Sequence, residues 1–145
     1  MVTTAFVGAA SIVFARNLTG DVLSYPELSD STISLMDVDA DRLDRTRRVA
    51  ERVLEHNDLD ATVEATTDRR EALDGADDVL NMIHVGGLEP FENEIRIPEE
   101  YGPGQAVGDT LGPGGVSRAA RTVPAMVDDL LEANADYLPG ELLAG

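Results

Sequence analysis

Gly8-Ala9-Ala10-Ser11 follows a short apolar run, residues 2–7, and precedes a helical pattern. A glycine turn in that setting brings backbone N–H groups and a helix N-terminus against a pyrophosphate. The full fingerprint of such a turn has three glycines. Here Gly8 stands alone, Ala10 fills the second position and Phe14 lies near the third. Taken by itself the stretch reads equally as a plain strand-to-helix turn. Asp37 and Asp39 add to it, because they close the next strand-like run, residues 31–39. An acid at that point accepts a hydrogen bond from an adenosine ribose hydroxyl and repels a 2′-phosphate, which favours NAD over NADP. Asp37 also reads as a helix cap, although Asp39 is better placed for that role. Asp37 comes 29 positions after Gly8. The usual interval is about 20, so the first helix and its loop must be extended.

A second unusual stretch is VGDTLGPGGVSRAARTVP, residues 107–124. Four glycines, a proline and Asp109 crowd ahead of a helical pattern that carries Arg118 and Arg121. A plain connection does not need so many residues that free or fix the backbone. The two arginines read as partners for the chain's many acids or as site residues.

The elements that must position these groups alternate. Residues 2–8 read as a buried strand. Residues 11–25 have helical spacing through Ile12, Val13, Leu18 and Val22, with Ser11 available as a cap. The second strand, residues 31–39, leads to a charge-alternating helix with Leu43, Val49, Ala50, Val53 and Leu54 on one side. Residues 61–66 form a short third strand, DRREALDG a brief helix ended by Gly75, and residues 76–83 a fourth strand. The order β-α-β-α-β-α-β with short connections and right-handed crossovers gives a doubly wound, Rossmann-like parallel sheet ordered 3-2-1-4. Two more helices are expected, one in EPFENEIRIPEEYG and one over residues 117–134. The cofactor domain is thus expected over residues 1–134, followed by a divergent tail, residues 135–145.

Composition narrows the function classes. The chain has 145 residues, 28 acidic side chains against 11 basic ones, and a net charge of −17. All the basic residues are arginine. Such a surface repels nucleic acid and anionic membranes, so neither is an expected partner. It also matches adaptation to high salt, where self-repulsion is screened. With no cysteine, disulfides and thiolate metal sites are excluded. The start lacks the pattern of a signal peptide and no run reaches membrane-spanning length, so a cytoplasmic location is expected.

Five stretches in order, FVGAASIVFARNLTGDVLSYPEL, STISLMDVDADRL, ATTDRREALDGAD, NMIHVGGLEPFE and GDTLGPGGVSRAARTVP, resemble the N-terminal domain of the family-four glycoside hydrolases. The resemblance runs from about Thr4 to Asp129, and the GDTLGPGG form is closer to the α-galactosidase/α-glucosidase branch. It implies a glycosidase that uses NAD and a divalent metal, often manganese, rather than two carboxylates. In that chemistry hydride leaves C3 of the sugar to NAD+, a base takes the acidified C2 proton, the aglycone is eliminated, water adds and the hydride returns. The metal holds the C2 and C3 oxygens. The resemblance assigns Gly8, Ala10, Ser11 and Asp37 to the cofactor, Asn81 to the nicotinamide ribose, and Val85 and Gly86 to the continuing cofactor wall. It places Asp109 against a sugar hydroxyl or the leaving group, and the glycine-rich loop where nicotinamide and sugar meet. His84 stands where glutamine is more usual and reads as structural.

The same resemblance leaves things out. The family's metal-binding Cys and His, its Thr-Asn-Pro segment and its base Tyr match nothing in these residues. The expectation is therefore an N-terminal fragment without the second domain, inactive by itself, with no metal ligands of its own. The sugar substrate is implied by the family, and a homo-oligomer is possible through an uncovered sheet edge. The alternative is a stand-alone NAD-binding or interaction module without turnover. A malate-type dehydrogenase fits less well, because the chain lacks a catalytic His-Arg arrangement.

Overall fold

The computed structural model describes residues 1–102, 104 and 111–133, with side chains of the last helix described as far as Val127. It divides into two compact units, one built on Met1–Met82 and the other on Ile83–Leu130.

The first unit is a four-stranded parallel sheet. Its strands are β1 (Thr3–Val7), β2 (Thr32–Met36), β3 (Thr62–Thr66) and β4 (Asp78–Asn81), ordered β3-β2-β1-β4. Its helices are α1 (Ile12–Leu23), α2 (Ala40–Asn57) and the single-turn α3 (Arg69–Leu73). This is the doubly wound arrangement expected from the alternation of elements. Register pairs Val7 with Met36 on one side and with Asn81 on the other. The ends of three strands, and so the residues that follow them, lie side by side at one edge.

Burial explains the sheet. Phe6, Ile33 and Leu35 on the two central strands are fully buried, and they pack with Ala15 and Leu23 of α1 and Leu43 and Ala50 of α2. Truncating such a side chain costs about 2–5 kcal/mol. The ion pairs on α2, Arg47 with Asp44 and Glu51 and Arg48 with Asp44, are partly exposed and screened by solvent, so they contribute little. The apolar core therefore holds this unit, and the charges decorate it.

The face of α1 differs from the expected one. Ala15, Thr19 and Leu23 are buried, Leu18 and Val22 pack partly against the core, and Ile12 and Val13 are exposed. The i, i+4, i+8 row through Ala15 faces the sheet, which turns the first residues of the helix outward. Small Ala15 lets the helix lie close to the strands. On α2 the expected side holds in part: Leu43 and Ala50 are buried and Leu54 packs against the core, whereas Val49 and Val53 are only partly buried and line a surface groove, and Thr46 takes the buried place between Leu43 and Ala50. Asp39 caps α2, its carboxylate accepting the Arg42 N–H at 3.0 Å.

The second unit carries α4 (Leu88–Glu100) and most of α5 (Pro113–Ala133). Helix α5 begins four residues before the sequence pattern suggests. Pro113 occupies its first position, where a fixed φ and a missing N–H do no harm. Gly114 and Gly115 therefore lie in the first helical turn, not in a loop, and the Val116 N–H already bonds Gly112 C=O at 2.9 Å.

Candidate cofactor site

Gly8 leaves β1 with φ of 87°, a left-handed conformation that glycine adopts without strain. Its N–H and that of Ala9 both reach Met36 C=O, at 2.9 and 2.8 Å. The turn is thereby tied to the end of β2. Asp37, the next residue along that strand, completes the tie. One carboxylate oxygen accepts the Ala10 N–H at 2.9 Å and the other accepts the Asp39 N–H at 3.1 Å. Asp37 thus orders both the Gly8–Ala10 turn and the entry to α2. A carboxylate offers about four lone-pair sites, so two acceptor positions remain for ribose hydroxyls.

Ser11 stands at the N-cap of α1, but its side chain makes no capping bond. The first N–H groups of that helix are not closed by a cap side chain, as an incoming anion requires. Asn81 is the last residue of β4, in register with Val7 and therefore beside the start of the turn. A cleft of about 620 Å³, lined by Met36, Thr67, Asp68, Arg69 and Arg70, opens at the C-terminal ends of β2 and β3. That edge is where doubly wound sheets bind ligands. A groove of about 550 Å³ runs along α2, lined by Arg16, Val49, Arg52, Val53 and His56, and neither it nor the cleft is lined by a residue that the sequence assigns to the cofactor.

Two neighbours were not legible in the sequence. Arg42 extends its guanidinium to Ala10 C=O at 3.4 Å, so Ala10 is held through its N–H by Asp37 and through its carbonyl by Arg42. Val38, beside Asp37, is 87% exposed. Neither carries a motif: an arginine in a charge-alternating helix and a valine at a strand end look ordinary until the turn is in place.

In the second unit, Val85 and Gly86 lead into α4. Gly86 and Gly87 both have positive φ, 94° and 72°. Arg121 of α5 donates from Nε to Val85 C=O at 2.7 Å and from Nη2 to Glu94 of α4. A Cβ on Gly86 would stand 2.9 Å from Pro90 and 3.0 Å from Arg121 Nε, so the turn passes directly beneath that side chain. Arg121 is therefore paired with an acid, one of the two readings its sequence context allowed. Arg118 lies over the Phe91 ring at 6.0 Å, and His84 meets the same ring edge-on at 6.1 Å. His84 has an aromatic neighbour and no metal-ligand companions among the described residues. Asp109 lies outside the described residues.

Comparison with known proteins decides the family. A model described as family 4 glycosyl hydrolase matches residues 3–141. The chain belongs to that family. It is 43% identical over 124 residues to an α-galactosidase of Rhizobium meliloti, covering 86% of this chain and 25% of that protein. It is 37% identical over 134 residues to an α-glucosidase of Erwinia rhapontici, covering 92% of this chain and 29% of that one. Among solved structures, a 6-phospho-β-glucosidase of Thermotoga maritima with manganese, NAD+ and glucose-6-phosphate superposes with a TM-score of 0.78 at 22% identity, over 93% of this chain and 32% of that one. A 6-phospho-α-glucosidase from gut microorganisms, in complex with NAD and glucose-6-phosphate, gives 0.80 at 22% identity, over 92% and 30%. The chain spans about a quarter to a third of the length of these relatives.

The residues of this family 4 chain fit a dinucleotide. A left-handed Gly8, an α1 N-terminus without a side-chain cap and a carboxylate at the end of β2 are the donor and acceptor set that a pyrophosphate and a ribose require. They do not fit a divalent metal. Among the described residues no three His, Cys, Asp or Glu side chains come together as ligands. No described helix is long and apolar enough to cross a membrane.

Proposed function

We propose that this chain is the NAD-binding part of a family 4 glycosidase acting on α-galactosides or α-glucosides. The observation that carries the reading is the Gly8–Ala10 turn, fixed by Asp37 at the edge where three parallel strands end. Gly8, Ala10 and the N-terminus of α1 at Ser11 hold the pyrophosphate through backbone N–H groups, and Asp37 holds the adenosine ribose. Asn81 orients the nicotinamide ribose, and Val85 and Gly86 offer backbone to the cofactor. The bound cofactor supplies reversible hydride removal from the sugar. Asp109 acts on the sugar or its leaving group. The described residues gather no ligand set for manganese, and their part is to hold and orient the cofactor.

Titration calorimetry in molar KCl tests this reading: NAD+ binds, NADP+ binds more weakly, and Asp37→Ala weakens NAD+. Absence of heat with NAD+ at every salt concentration would remove it. The same chain, supplied with NAD+, Mn2+ and an aryl α-galactoside, is expected to release no phenol. Catalysis needs the cofactor, the metal and a base held together. Release that disappears in Asp109→Ala would show these residues to be sufficient. A stand-alone NAD-binding module is the second reading.

A further inference from the structure

Glu94 is 4% exposed, and its carboxylate meets Arg121 through one oxygen while the other has no hydrogen-bond partner among the described residues. A buried ion pair is a poor source of stability, because desolvation offsets the attraction, and an unsatisfied buried oxygen adds to the cost. Two apolar side chains would serve the packing of α4 on α5 at least as well. What they could not do is hold Val85. Arg121 has a planar fork of donors, and it gives Nη2 to Glu94 while Nε donates to Val85 C=O at 2.7 Å. The next residues, Gly86 and Gly87, form a turn with positive φ at both positions, and nothing among the described residues lies within 4 Å of where a Gly87 Cβ would stand. Arg121 thus grips the turn on one side.

We propose that Glu94 and Arg121 are a positioning pair: Glu94 orients the guanidinium, and the guanidinium fixes the Val85–Gly87 turn in the form that receives the nicotinamide half of the cofactor. The proposal rests on the reading that Val85 and Gly86 border NAD. Neither side chain touches the reacting atoms; both act through the backbone of the turn. Lysine cannot replace Arg121, since a point charge does not satisfy a carbonyl and a carboxylate along one rigid plane.

The test uses the full chain in molar KCl. The double variant Glu94→Leu/Arg121→Met removes the charges together and keeps the volume, so its thermal midpoint is expected at or above that of wild type. Arg121→Lys is the second variant. Two readouts follow. Amide hydrogen exchange at Gly86 and Gly87 is expected to quicken about tenfold or more once the charged bond to Val85 is lost. NAD+ affinity is expected to fall about tenfold, while AMP, which occupies the Gly8 and Asp37 side alone, binds as before. A folded double variant with wild-type exchange and a wild-type ratio of NAD+ to AMP affinity overturns the inference and leaves the cofactor reading standing. If wild type binds no NAD+, the cofactor reading fails and takes the ligand half of the proposal with it. The exchange rates still decide whether the pair holds the turn.

Discussion

Replacing Asp37 by asparagine separates a carboxylate that only binds ligand from one that also builds its own site. In the structure both oxygens are acceptors, one for Ala10 N–H at 2.9 Å and one for Asp39 N–H at 3.1 Å. Asparagine is nearly isosteric, but it offers one acceptor and one NH2. Whichever way the amide turns, one backbone N–H faces another donor. A hydrogen bond to a charged group is worth about 1.5–3 kcal/mol net, and the lower end applies at this half-buried position. Losing one bond and opposing two donors therefore costs roughly 2 kcal/mol. Asp37→Ala loses both bonds, yet it opens room for water at the two N–H groups, so its cost is similar, about 2–3 kcal/mol. Against a typical domain stability of about 5–15 kcal/mol this is readily measured. Urea denaturation in molar KCl, followed by circular dichroism, gives the three unfolding free energies. The structure predicts asparagine and alanine grouped together, well below wild type. Asparagine within about 0.5 kcal/mol of wild type, with alanine far below, would show that a single acceptor suffices and that the double tie is not what holds the turn.

The net charge of −17 should make folding depend on salt, so molar KCl is expected to raise the thermal midpoint by several degrees over dilute buffer. A midpoint flat across that range would remove the salt-adaptation reading. On α2, a hydrogen bond from Arg47 holds the Asp44 carboxyl below its ordinary value of 3.8, with Arg48 adding to the effect. Because the folded-state value is the lower one, what this carboxylate contributes is present above the ordinary value and is lost as pH falls through the depressed one. Carbon-detected NMR titration should show a low Asp44 midpoint that rises in Arg47→Ala; an unmoved midpoint would assign the shift elsewhere.

The sheet was legible because each strand was a short apolar run bounded by turn residues, and each crossover was short enough to leave one handed solution. The turn at Gly8 and the acid at Asp37 were legible as a pair of positions, not as a bond. Spacing suggested that both serve one nucleotide, but it could not say that Asp37 grips Ala10. The face of α1 was misread at its start, because Ile12 and Val13 are apolar by type while the helix register points them away from the sheet. The glycines at 114 and 115 looked like loop residues because glycine is a weak helix former, yet Pro113 starts the helix ahead of them. Glu94 was invisible. A glutamate among many acids in a polar helix carries no sign that it is buried, and its partner, Arg121, comes 27 residues later.

The two units are stabilised by different means. The buried apolar side chains, from Ala5 to Leu73, belong to the first unit. Among the described residues of the second, the buried side chains are those of Glu94 and Pro98, while Leu88, Tyr101, Leu111 and Val116 are exposed. Among the described residues of that unit, Arg121 supplies directed bonds, one to Val85 and one to Glu94, that join α5 to α4 and to the turn before it. Directed bonds add little free energy but specify one geometry. Such a restraint suits the cofactor-bordering role proposed for the Val85–Gly87 turn, which asks for one backbone geometry rather than for added stability.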